Sequence, residues 1–136
     1  MINGWICFRS NDHFFATMNE LTVLFPETLP DKDYQDLYRA VCVQLDKDFM
    51  PHARLKAIPD NISPDWIYNE IHRMLQEIIS RGGSELGAVV YRVDLKETLV
   101  RKTMHESTSS DRINELANMI LKREAQKVWL RKHLRT

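Results

Sequence analysis

Apolar residues recur along this chain at spacings of three and four, and prolines and glycines divide them into segments of helical length. Phe14, Phe15, Met18, Leu21 and Leu24 or Phe25 predict a first helix from about Asn11 to Phe25, capped by Asn11 or Asp12 and ended by Pro26. Asp31 opens a second, in which Leu37, Val41, Leu45 and Phe49 follow one another at intervals of four until Pro51 stops it. Residues 51–64 carry Pro51, Pro59 and Pro64 with Asp60-Asn61 between them. No period survives there, and the segment reads as a long connection crossing the end of a bundle, pinned by Leu55, Ile58 and Ile62.

Ser63-Pro64-Asp65 is the clearest helix start in the chain. Ser63 supplies a cap, Pro64 sits in the first turn where its missing N–H costs nothing, and Asp65 favours the positive end of the dipole. Ile67, Ile71, Met74, Leu75, Ile78 and Ile79 then form one stripe, and Gly82-Gly83 suits a left-handed termination.

Leu86 to Leu95 alternates as a strand would and also repeats as a helix would. No second segment alternates convincingly, and an unpaired strand leaves its backbone unsatisfied, so helix is the expectation. Asp94 with Glu97 three residues on has the form of a capping box and predicts a fresh or kinked helix to about Met104. After the polar stretch His105 to Ser110, a last helix runs from about Ser110 to His133, its apolar residues spread over more than one face. That spread marks it as the central or docking element. The sum is an all-α irregular bundle of five or six helices with a long C-terminal helix.

At 136 residues, 43% hydrophobic and 28% charged, the composition fits one domain spanning residues 1–136 that needs no staple to fold. Residues 1–17 are a candidate loosely ordered extension, since a second plausible chain start occurs at Met18. The opening residues lack a basic leader region, and no stretch approaches the ~20 apolar residues of a membrane span, so a cytoplasmic protein without membrane association is expected. Cys7 and Cys42 lie in apolar surroundings without a CxxC and read as small buried hydrophobes of a reducing compartment.

The net charge of zero hides an asymmetry. Residues 1–100 hold ten Lys or Arg against fifteen Asp or Glu, and residues 101–136 hold nine against four. Lys122, Arg123, Lys127, Arg131, Lys132 and Arg135, with Trp129 among them, form a candidate surface for a partner protein or for nucleic acid. The competing account is that these cations complement the helix C-terminus and face the acidic first hundred residues. Trp5, Ile6 and Phe8 are a candidate apolar contact strip.

Candidate chemistry is sparse. The five histidines show neither HExxH nor pairing at i, i+4. Asp31, Asp33 and Asp36, and likewise Asp46 and Asp48, read as helix-start or surface carboxylates and not as a calcium loop. No phosphate-binding glycine loop or nucleophile elbow occurs. Glu70, His72, Arg73 and Tyr91 are the one polar group beside strong apolar stripes, and an unrecognised enzyme would use them. No catalytic residue, metal ligand or cofactor is assigned.

Leu116-Ala117-Asn118-Met119-Ile120-Leu121-Lys122-Arg123-Glu124-Ala125-Gln126-Lys127-Val128, together with Tyr91-Arg92-Val93-Asp94, resembles small uncharacterised proteins of Bacteroidetes-type bacteria. The likeness covers roughly the last 50 residues. It implies a bacterial cytosolic protein with an all-helical fold and carries no catalytic motif. Taken together, the expected function is a non-enzymatic module that binds a protein partner or itself. The alternatives are nucleic-acid binding through the basic last helix, and an enzyme with an unrecognised site.

Overall fold

The computed structural model describes Phe25, residues 29–106 and residues 108–134. The helix expected before Pro26, Cys7, the strip Trp5, Ile6 and Phe8, the extension at 1–17 and Arg135 lie outside the described residues. Five helices follow one another: α1 (Asp31–Phe49), α2 (Pro64–Ser80), α3 (Leu86–Val93), α4 (Glu97–Glu106) and α5 (Ser109–Leu134). The described residues form an all-α bundle with no strand among them. None of these helices is long and apolar enough to cross a membrane.

The interval-of-four residues of α1 are its buried face, with Leu37, Val41, Leu45 and Phe49 at most 2% exposed. In α2 the stripe from Ile67 to Ile78 is equally buried, and only Ile79, at its edge, is partly exposed. Ser63 Oγ accepts from Trp66 N–H at 3.1 Å and caps α2 as expected. The other end closes on Gly82 (φ 104°) and Gly83 (φ 75°), whose N–H groups donate to Ile79 and Ile78 carbonyls, each at 3.0 Å. These two crossed bonds satisfy carbonyls the last turn would otherwise leave open.

Residues 86–93 are helical, and the same crossed bonding ends them: Asp94 N–H donates to Tyr91 O at 3.1 Å and Leu95 N–H to Val90 O at 3.2 Å. Asp94 therefore has φ 71°, a left-handed conformation that glycine usually takes. This corrects the capping-box expectation. Asp94 closes α3 while the first bonds of α4 run from Leu99 and Val100 to Lys96 O. The carboxylate of Asp94 is instead engaged by Arg123 of α5, 2.7 Å away.

The last helix is the central element and packs on each of the other four. Leu116, Ala117, Ile120, Leu121, Ala125 and Val128 are buried along it. Its apolar residues wrap because its neighbours surround it, which is why one narrow stripe is missing. Phe25 is 1% exposed and sits between Tyr38 of α1 and Trp129 of α5, with ring centroids 6.4 and 5.7 Å away.

The 51–63 connection, entered through a cis Met50–Pro51 peptide, is held mainly by side chains that bond its backbone. Asp46 accepts from Leu55 N–H at 3.2 Å and from Arg54 at 3.0 Å. Glu70 accepts from Lys56 N–H at 3.0 Å. Gln35 makes a reciprocal pair with the Ile62 peptide, both bonds 2.8 Å. Of the three expected apolar pins, Ile62 is buried and Leu55 half-buried, but Ile58 is 36% exposed. Ala53, 6% exposed, takes a pinning role that Ile58 does not.

Candidate functional site

The basic residues of α5 do not form one free surface. Arg123 spans to the α3–α4 turn, donating to Asp94 Oδ2 at 2.7 Å and to the Asp94 carbonyl at 3.2 Å, and it also reaches Gln126 at 2.8 Å. Arg131 donates to Gln44 Oε1 of α1 at 2.7 Å. Trp129 stacks on His133, with ring centroids 3.7 Å apart. Lys122 lies beside the α4–α5 cleft, and Lys132 is exposed. Intramolecular pairing thus accounts for Arg123, Lys127 and Arg131, in line with cations facing the acidic part of the chain.

Lys127 leads into a buried polar group that sequence reasoning missed. Its ammonium lies 2.7 Å from Asp48 Oδ2 of α1 and 3.1 Å from Glu124 Oε1, and 3.3 Å from the Arg92 and Val93 carbonyls at the end of α3. It therefore ties three helices together. Gln44 extends the group by donating to Asp48 Oδ1 at 3.0 Å while accepting from Arg131. Glu124 is 0% exposed, and although Lys127 is within ion-pair range, neither carboxyl oxygen has an aligned hydrogen bond. Burial, reinforced by the adjacent Asp48 carboxylate, pushes the Glu124 pKa up to about 9. A protonated Glu124 leaves Asp48 and Lys127 as a balanced pair. Glu124 is fully buried where α1, α3 and α5 meet, and the group serves as a latch between those helices.

Glu70, His72, Arg73 and Tyr91 do not converge, which corrects the expectation that they form one polar cluster. Glu70 and Arg73 face the 51–58 segment: Arg73 bonds Glu70 at 2.7 Å and the Arg54 carbonyl at 3.0 Å. Burial works against ionisation of Glu70, but Arg73 and the Lys56 N–H outweigh it and hold the carboxyl below its ordinary value. His72 turns to α5, 2.9 Å from Asn114 Oδ1. Tyr91 is 84% exposed on α3. Residues three apart on a helix share a face, as Glu70 and Arg73 do, whereas His72, one and two positions from them, points elsewhere.

Cys42 behaves as the small buried hydrophobe expected, and burial drives its thiol pKa up to about 12. A thiol so held is a poor nucleophile at neutral pH. No group of three or more His, Cys, Asp or Glu side chains among the described residues is placed to hold a metal ion.

Two surface depressions stand out among the described residues. One, of about 400 Å³, lies between α1 and the 51–58 segment and is lined by Val43, Met50, Leu55 and Ile58 with Lys47 and Lys56 on its rim. Val43 is 54%, Met50 39% and Ile58 36% exposed. The other, of about 620 Å³, lies between the α3–α4 turn, α4 and α5. Neither is lined by Glu70, His72, Arg73 or Tyr91. Val43 stands two residues beyond Val41, off the α1 interval of four, and that offset is the sequence signal for the first depression.

No protein-family model, no curated protein and no solved structure matches this chain.

Proposed function

We propose that the protein is a cytoplasmic, non-enzymatic interaction module whose docking face is the groove between α1 and the 51–58 segment. One observation carries this: of the six large apolar side chains exposed among the described residues, Val43, Met50 and Ile58 line the same groove. Scattered apolar residues are normal on a surface, whereas clustered ones mark contact sites. A flexible methionine suits such a site because it repacks around an incoming side chain.

The rim specifies the partner's chemistry. Lys47 and Lys56 flank the groove, and the carboxylate of Asp46 is already taken by Arg54 at 3.0 Å. A protein segment with apolar anchors flanked by acidic residues fits both features. Nucleic acid fits less well, because Arg123, Lys127 and Arg131 are held within the fold.

The test is affinity capture from the native cell lysate with the wild-type protein and with V43E and L130E, each also sized by light scattering. Proteins retained by wild type and L130E but lost with V43E, in a salt-sensitive manner, are the expected result. Capture or self-association indifferent to V43E overturns the proposal. Retention on heparin at low salt, with no protein captured, points instead to nucleic acid.

A further inference from the structure

The segment that walls the Val43 groove carries an unused main-chain edge. From Arg54 to Asn61 no residue makes a backbone–backbone hydrogen bond among the described residues, and the bonds that hold this stretch alternate in direction. The Arg54 carbonyl accepts from Arg73 of α2 at 3.0 Å, Leu55 N–H donates to Asp46 of α1 at 3.2 Å, and Lys56 N–H donates to Glu70 of α2 at 3.0 Å. Successive peptide groups thus face opposite sides, as they do along a β-strand. Continued by one residue, the alternation turns the Ala57 N–H and carbonyl towards α1, into the groove that Ala57 helps to line. Ala57 is exposed, and no hydrogen bond occupies its N–H or its carbonyl among the described residues.

From this edge we infer that the groove takes an extended peptide segment of a partner protein, paired through its main chain with Ala57 as an added strand. Its apolar side chains lie against Val43 and Met50 and its acidic ones at Lys47 and Lys56. The inference rests on the docking face proposed above and specifies the backbone conformation that face recognises. A partner that covers the groove removes the Ala57 peptide groups from water, and a polar group buried without a hydrogen bond is costly. A helix cannot satisfy them, because its own main-chain groups are bonded to one another. An extended segment offers one donor and one acceptor on the same edge at every second residue, and Ala57 has one of each to exchange with them. Lys47 and Lys56 are exposed and make no ion pair among the described residues, so both are open to carboxylates on the incoming strand.

Main-chain pairing tolerates many sequences, so a generic peptide serves as the probe. The isotope-labelled full chain is titrated with acetyl-Asp-Val-Thr-Val-Asp-amide and followed by nuclear magnetic resonance. Two modified forms accompany it, one N-methylated at the central threonine and one at both valines. Saturable binding that moves the Ala57 amide proton downfield is expected. The threonine-methylated form should bind about tenfold weaker, the effect of losing one hydrogen bond, and the valine-methylated form nearly as well as the parent, because alternate N–H groups point away from Ala57. V43E should weaken the parent peptide at least tenfold, and A57P, which removes the Ala57 donor, about tenfold. Circular dichroism checks that A57P folds, and if it does not, the methylated peptides decide the matter on the wild-type protein. Absence of saturable binding overturns the inference, as does equal sensitivity to the two methylations. If binding is equally sensitive to both yet lost in V43E, the extended mode fails and the docking face stands. Capture from lysate that is indifferent to V43E removes the docking face itself, and the inference with it.

Discussion

Replacing Glu124 by Gln is expected to stabilise the protein at neutral pH and to remove much of its pH dependence. Glu124 is 0% exposed and lies against Asp48 and Lys127, so its carboxyl holds a proton in the folded state up to about pH 9 against an ordinary value of 4.5. The unfolded chain releases that proton from pH 4.5 upward. The folded form binds the extra proton across the window between these values, so its contribution to stability is fully present below the lower one and lost as pH rises towards the upper one. Each unit corresponds to about 1.4 kcal/mol, which over the 2.5 units from 4.5 to pH 7 puts the loss at no more than about 3.5 kcal/mol, with relaxation around the site reducing it. Gln keeps the shape of the protonated acid and, like it, brings no charge beside Asp48. Urea denaturation followed by circular dichroism, at several values between about pH 5 and pH 9, reads the difference directly. The two proteins should be nearly equal in stability at the acid end, and E124Q should gain steadily with pH. A Gln variant less stable than wild type at neutral pH would mean that Glu124 is ionised and paired with Lys127, and the reasoning would fail.

Two further substitutions probe the same region and its neighbour. K127M removes the cation that faces Asp48 and Glu124 and bonds the end of α3, so a loss of about 3–5 kcal/mol is expected from the urea midpoint. A loss below about 1 kcal/mol would show that water reaches Asp48 freely. At Asp94, both D94G and D94A lose the contact with Arg123, but only D94A keeps a Cβ at φ 71°. The glycine variant should therefore be the more stable of the two by about 1 kcal/mol in thermal unfolding, and equal stabilities would place the turn's preference outside the backbone.

Where structure depends on neighbours along the chain, it was legible. The cap at Ser63, the stripe of α2 and its glycine termination follow from residues within a few positions of one another, as does the buried face of α1. Residues 86–93 required a negative argument, since their pattern suits either element and only the lack of a strand partner decided it. Asp94 is ambiguous in the sequence because its side chain suits the start of the next helix, while the left-handed termination it adopts is one that glycine usually signals. The latch escaped notice for a different reason. Asp48 and Lys127 are 79 residues apart and Gln44 and Arg131 are 87 apart, and nothing local distinguishes a carboxylate bound for burial from one bound for solvent. Both clefts likewise depend on how separate segments approach. Ile58 shows the limit of hydrophobicity as a guide: the segment's polar anchors set its path, and its apolar residue was left outside.

Those anchors change what the segment from Pro51 to Ser63 is. Gln35 engages the Ile62 peptide at both its N–H and its carbonyl, as one strand engages the next, with an amide side chain standing in for a backbone. With Leu55 and Lys56 N–H groups given to Asp46 and Glu70, the segment has its own inventory of hydrogen bonds drawn from two helices. Its protected amides are expected to exchange with solvent at rates closer to those of helical residues than to those of surface turns. A groove with such a wall is shaped before anything enters it, and a guest would meet a surface that needs little ordering on arrival.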